Sequence, residues 1–208
     1  SPDVYLMDQH DERLAEAATD ADQSMEAQFD ALCGTLPDFV GAAYRGYGYD
    51  FKVGYVALNN GEFATAARYL TLALDAQTAA DTYIPLELAT ACLHLNRLEQ
   101  ARELLEELLG HHPDALPAYQ ILCEVYWEQE AFDQAEALLA SIPPALATSR
   151  ALFVLKGETL FQAGRFEAAK RFYPEFLAAY GWDENIARAL ARTHEALADM
   201  GPARQLYQ

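Results

Sequence analysis

Apolar side chains along this chain recur at helical spacing. Between residues 11 and 33 they fall at Leu14, Ala18, Ala21, Met25, Phe29 and Leu32, in steps of 4, 3, 4, 4 and 3. Such steps trace one stripe of an α-helix. Glu12, Glu16, Asp20 and Asp30 stand on the other side. The pattern predicts an amphipathic helix from about Asp11 to Cys33, ended by Gly34 and Pro37. An apolar stripe on a polar helix must be covered. A cap over the structure that follows and a two-stranded contact with a second copy both satisfy it. Its acidic polar side disfavours a membrane surface.

The rest of the chain carries a longer period. An alanine recurs near a predicted helix start at Ala66, Ala101, Ala135, Ala169 and Ala203, at intervals of 35, 34, 34 and 34. Four residues after each stands Leu70, Leu105, Leu139, Tyr173 or Tyr207, and three before each stands Phe63, Leu98, Phe132, Phe166 or Met200. Twelve residues before each stands a small side chain: Gly54, Ala89, Cys123, Gly157 and Ala191. Small residues in register, with bulk one turn away, let two helices joined by a short turn cross closely. Composition agrees with helices throughout: 39 Ala and 29 Leu stand against 6 Val and 4 Ile.

A 34-residue period with two helices per unit resembles the tetratricopeptide repeat family. The segments NNGEFATAARYL, LNRLEQARELL, EQEAFDQAEALL, QAGRFEAAKRFY and ADMGPARQLY carry the resemblance, which covers about residues 47–208. It implies an all-α fold, a right-handed α-solenoid of about five antiparallel helix pairs preceded by the N-terminal helix. The repeats fall at about 47–81, 82–115, 116–149, 150–183 and an incomplete 184–208. Residues 1–46 form the acidic helix and a glycine- and tyrosine-rich lead-in, FVGAAYRGYGYDFK running from Phe39 to Lys52. That stretch lacks GK[ST] and a preceding strand, so a phosphate loop is disfavoured against a flexible lead-in with packed tyrosines. Departures from the pattern predict local effects. Pro143 and Pro144 stop the second helix of repeat three early, and Pro174 kinks that of repeat four. Lys156 stands where an apolar residue is expected. The short fifth repeat predicts that the natural chain continues.

Charge narrows the partners. Fourteen Lys and Arg against 32 Asp and Glu leave a net charge of -18, which repels a phosphate backbone and argues against nucleic acid. Residues 1–149 hold 25 acids and 6 bases, while residues 150–208 are nearly balanced with 7 and 8. Cys33, Cys92 and Cys123 are odd in number and far apart, so neither a disulfide framework nor a thiolate zinc site is indicated. That favours the cytoplasm, with a periplasmic or membrane-anchored setting left open. His111 and His112 sit at a predicted helix end, where the helix dipole accounts for them better than a metal does. His10 beside Asp8, Asp11 and Glu12 reads as a helix start. With no GxSxG, HExxH, GxGxxG or P-loop pattern, no catalytic residue, cofactor or metal ligand is assigned, and the chain reads as a non-enzyme.

The resemblance implies a concave groove lined by the first helix of each repeat, holding an extended peptide or a helix of a partner. In register, the candidate partner-binding residues are Phe51, Tyr55, Tyr83, Leu86, Glu124, Trp127, Glu128, Glu158, Phe161, Arg188 and Arg192, with Val154 and Asn185 at further groove positions. The Lys and Asn or Arg of the carboxylate-clamp members are replaced by Phe51, Tyr55, Leu86 and Thr90, so an acidic tail is not the expected ligand. A groove aromatic at one end, acidic in the middle and basic at the far end suits a segment with apolar anchors followed by Lys or Arg. Phe51, Leu58, Leu86, Leu93 and Trp127 fit interhelical core as well. The expected function is an adaptor or assembly scaffold. Its alternatives are a regulatory or substrate-recruiting domain of a larger enzyme, and a scaffold that self-assembles through the N-terminal helix.

Overall fold

A computed structural model describes residues 20, 22–78 and 82–198. The described residues are helical with short connections and no strand. Helix α1 covers residues 22–33, followed by α2 (Asp38–Arg45), α3 (Tyr49–Asn59), α4 (Phe63–Asp75) and α5 (Ile84–His94). Then come α6 (Leu98–His111), α7 (Leu116–Glu128), α8 (Phe132–Ala140), α9 (Arg150–Gln162), α10 (Phe166–Tyr180) and α11 (Glu184–Ala196). The fold class is the all-α, tetratricopeptide-like solenoid that the period implies. The predicted Asp11–Ala21 portion of the first helix, and Met200, Pro202, Ala203 and Tyr207 of repeat five, lie outside the described residues, apart from Asp20.

The period is written into the backbone as well as the side chains. Just after the first helix of each repeat one residue adopts positive φ: Gly61, Asn96, Glu130, Gly164 and Ala198, at intervals of 35, 34, 34 and 34. The left-handed residue lets the last helical carbonyls be capped by a reversing chain. Glu62 N donates to Ala57 O at 2.9 Å, Ala131 N to Tyr126 O at 2.8 Å and Arg165 N to Leu160 O at 2.9 Å. Glycine takes this conformation without strain, whereas Glu130 and Ala198 hold it against a steric cost of about 1 kcal/mol.

The chain divides into two compact units, Ser1–Leu95 and Asn96–Gln208. In the first, α3 packs on α4 and α4 on α5. The small-residue rule has a direct physical reading at Gly54, where a Cβ would stand 2.7 Å from Leu70 Cγ. The segment Asp38–Arg45, expected as part of a flexible lead-in, is helix α2. Its Gly41 lies so close to the end of α1 that a Cβ would come 2.7 Å from Cys33 O. Glycine there marks close helix approach rather than flexibility.

In the second unit α6 packs on α7, α7 on α8 and α9, α8 on α9, and α9, α10 and α11 on one another. A Cβ at Gly157 would collide with Cε1 of Tyr173 and stand 3.0 Å from its Cζ. Helix α8 stops at Ala140, before Pro143 and Pro144, as expected. Helix α10 runs on through Pro174 to Tyr180, held by Tyr173 and Phe176, both buried among Ile186, Ala189 and Leu190. Asp183 caps α11, accepting from Ile186 N at 3.0 Å.

Candidate functional site

The predicted groove positions meet two different fates. In the first unit Phe51 has no exposed surface, Tyr55 has 6% and Leu86 has 9%. What closes Phe51 and Tyr55 is the chain's own N-terminal segment. Phe29 of α1 meets Phe51 and Tyr55 edge-on, with ring centres 6.4 and 6.1 Å apart, and Tyr44 of α2 meets the same pair at 4.9 and 5.1 Å. Tyr47 adds a third ring 4.7 Å from Phe51. Edge-on aromatic pairs add about 0.5–1.5 kcal/mol each beyond the area they bury. Phe51, Tyr55 and Leu86 are core side chains here, with next to no surface for a ligand to touch. Half-buried Tyr83 donates its backbone N–H to the Tyr47 hydroxyl at 2.9 Å.

Polar contacts fasten the same segment. Lys52 pairs with Glu26 at 2.9 Å, Tyr49 O–H donates to Asp22 at 2.9 Å and Gln28 to Asn60 at 2.7 Å. The Tyr44 hydroxyl donates to Glu87 of α5. Burial pushes the Glu87 carboxyl up to about 7, although the hydrogen bond from Tyr44 works the other way. Neither Tyr44 nor Glu87 stood out in the sequence. The Tyr-rich composition of residues 44–55 was the available signal, but only the fold supplies the partner.

In the second unit the groove positions lie on α7, α9 and α11 and keep their surface. Glu124 and Glu128 of α7 are exposed, as are Arg188 and Arg192 of α11, while Trp127, Glu158 and Phe161 are half-buried. The structure joins these residues across repeats. Trp127 Nε1 donates to Thr159 Oγ1 of α9 at 3.2 Å, and Arg192 pairs with Glu158 at 3.1 Å while lying 4.9 Å over the Phe161 ring. Glu158 also accepts from Gln162 at 3.1 Å, and Arg188 pairs with Glu184 one turn earlier. Between α9 and α11 opens a cavity of about 370 Å³ lined by Val154, Glu158, Asn185, Arg188 and Arg192 with Tyr173 beneath. Tyr173, chosen from the sequence only as a packing residue, was missed as part of this surface.

The close crossing at Gly54 and Gly157, and the left-handed turn every 34 or 35 residues, are the features by which a two-helix repeat is recognised. The tetratricopeptide repeat family model matches residues 57–122 and 101–156. These are tetratricopeptide repeats. Solved structures agree in fold. A tetratricopeptide repeat protein from Parabacteroides merdae superposes with a TM-score of 0.65 at 17% identity, covering 74% of this chain and 59% of that one. A thermophilic TPR protein from Thermus thermophilus gives 0.59 at 20%, covering 76% and 86%. MamA of AMB-1 gives 0.56 at 22%, covering 77% and 94%. No curated protein matches the sequence.

Burial pushes the Cys123 thiol up to about 12, and the Tyr55 hydroxyl likewise to about 12. Cys33, Cys92 and Cys123 are buried and form no disulfide. Among the described residues no three His, Cys, Asp or Glu side chains gather as a metal site would require, and no helix is long and apolar enough to cross a membrane.

Proposed function

We propose that this chain is a non-enzymatic protein-interaction module, an adaptor or assembly scaffold, whose partner segment lies along the first helices α7, α9 and α11. The observation that carries this reading is the surface those helices present. Half-buried Trp127 and Phe161 supply apolar anchor sites, and Glu124 and Glu128 stand exposed on the same helix as Trp127. Tetratricopeptide arrays use such faces for extended ligands. The partner segment carries apolar side chains followed by Lys or Arg: the anchors bury area, and the carboxylates set orientation and speed the encounter. Phe51 and Tyr55 drop out of the contact set because rings of α1 and α2 enclose them, and Leu86 because it is buried. Tyr83 is half-buried.

Self-assembly through α1 has less support, since Phe29 and Cys33 are buried within the chain. The test is a fluorescence-anisotropy titration of a synthetic peptide carrying two Leu or Phe anchors followed by Lys and Arg. Binding should weaken as salt rises. Glu124→Lys combined with Glu158→Lys should weaken it at least tenfold while circular dichroism is unchanged. Equal affinity in the double variant overturns the electrostatic part of the reading.

A further inference from the structure

The residue just before the small crossing residue is Val53, Leu88, Leu122, Lys156 and Leu190 in the five repeats. Leu88, Leu122 and Leu190 are buried in the core. Lys156 is half-buried at the same register. Packing alone asks for an apolar side chain there, and a lysine brings a charge that costs free energy to draw out of water. The half-buried Lys52 and Arg102 each hold a carboxylate. Lys156 forms no hydrogen bond and no ion pair among the described residues. Its ammonium nitrogen retains accessible surface, so a ligand atom can reach it.

Lys156 stands beside a cavity of about 290 Å³ between α8, α9 and α10. Leu139, Ala140, Leu160 and Phe172 make most of the lining apolar. The other polar side chains there are already engaged. Thr159 donates its hydroxyl to Leu155 O at 2.8 Å and accepts from Trp127 Nε1 at 3.2 Å. Glu136 is held through Oε2 by Arg165 at 2.8 Å, and its Oε1 is buried beyond a ligand's reach. The cavity thus offers apolar walls and one unanswered positive charge. At about 3.6 residues per turn, Lys156 and Leu160 stand on the face of α9 opposite Glu158. This place is therefore separate from the surface assigned to the partner segment.

The lining selects its occupant by elimination. An amine would meet the ammonium with like charge, and a purely apolar group would leave that ammonium covered and unpaired. A carboxylate on an aliphatic chain answers both the charge and the walls. The net charge of -18 repels a segment with several acids far more than a molecule with one. We propose that this cavity binds a small aliphatic monocarboxylate, its chain against Leu139, Leu160 and Phe172 and its carboxylate on the Lys156 ammonium.

The test is amide NMR on the whole chain with hexanoate, 1-hexanol, hexylamine and acetate as probes. Hexanoate should shift the resonances of Leu139, Lys156, Leu160 and Phe172 and bind at least about fivefold more tightly than hexanol, the advantage a charge-assisted hydrogen bond supplies. Acetate lacks the chain and hexylamine repeats the charge, so both should leave these resonances in place. Lys156→Met keeps the stem and should bring hexanoate down to hexanol while circular dichroism is unchanged. Equal binding of hexanoate and hexanol would mean a lysine that only reaches for water, and would overturn the proposal. So would shifts centred on Arg188 and Arg192, an undiminished hexanoate response in Lys156→Met, or silence from all four probes. Tighter binding of N-acetylglutamate methylamide than of hexanoate would overturn the small-molecule assignment in favour of a protein side chain. The wild-type ranking of probes decides the matter even if the variant is unstable. Because Glu124 and Glu158 lie outside this cavity, it can fail while the groove reading stands.

Discussion

The two units use the same repeat register to opposite ends. In the first, the positions that would line a groove are Phe51, Tyr55 and Leu86, and rings from α1 and α2 enclose the first two. In the second, the equivalent positions are Glu124, Glu158, Arg188 and Arg192, and they remain at the surface. A repeat position therefore states where a side chain points along its helix and not whether water reaches it. What decides exposure is the neighbouring element, here an N-terminal segment whose aromatics complete an aromatic cluster.

The largest effect expected from this contrast is on stability. Phe51→Ala empties the centre of the first cluster and should cost about 3–5 kcal/mol in urea unfolding. A value below about 1 kcal/mol would mean that the cluster is loosely held and its face available. Next comes the Glu87 carboxyl. Its folded value of about 7 lies above the ordinary 4.5, so the folded chain binds the proton more tightly than the unfolded one. Its contribution is therefore fully present below pH 4.5, falls as pH rises towards 7 and levels off above it. Glu87→Gln keeps an acceptor for Tyr44 and removes the charge, so it should stabilise the protein at about pH 8 by up to about 3 kcal/mol and by little at about pH 4. Equal effects at both pH values would place the carboxyl in water.

Smaller changes sharpen the other side of the comparison. Glu130→Gly relieves positive φ at the turn between α7 and α8 and should raise stability by about 0.5 kcal/mol in thermal unfolding. Arg165→Ala removes exposed ion pairs to Asp133 and Glu136 and should cost less than about 1 kcal/mol, a loss that added salt reduces.

The helix pairs were legible because their signals are local or strictly periodic. Gly54 and Gly157 announced close crossings, and Pro143 with Pro144 announced the end of α8. Helix α2 was not legible: Gly41, Gly46 and Gly48 read as flexibility, whereas Gly41 makes room for Cys33 O. Nor was the fate of Phe51 and Tyr55. Their helix position follows from spacing, but their burial depends on Phe29 and Tyr44 folding back from a segment outside the repeats. Tyr173 shows the same limit from the other side. Its register marked it as core, which it is, while the cavity it helps to line arises only where α9 and α11 meet.

A basic, apolar-anchored peptide should touch the chain along the second unit's first helices. Mapping amide chemical shifts during its titration should show changes along α7, α9 and α11, centred on Trp127, Glu158 and Arg192, with α3 and α5 silent. Shifts centred on Phe51, Tyr55 and Leu86 would contradict it, because they would mean that the N-terminal segment gives way and the aromatic face is the one that binds.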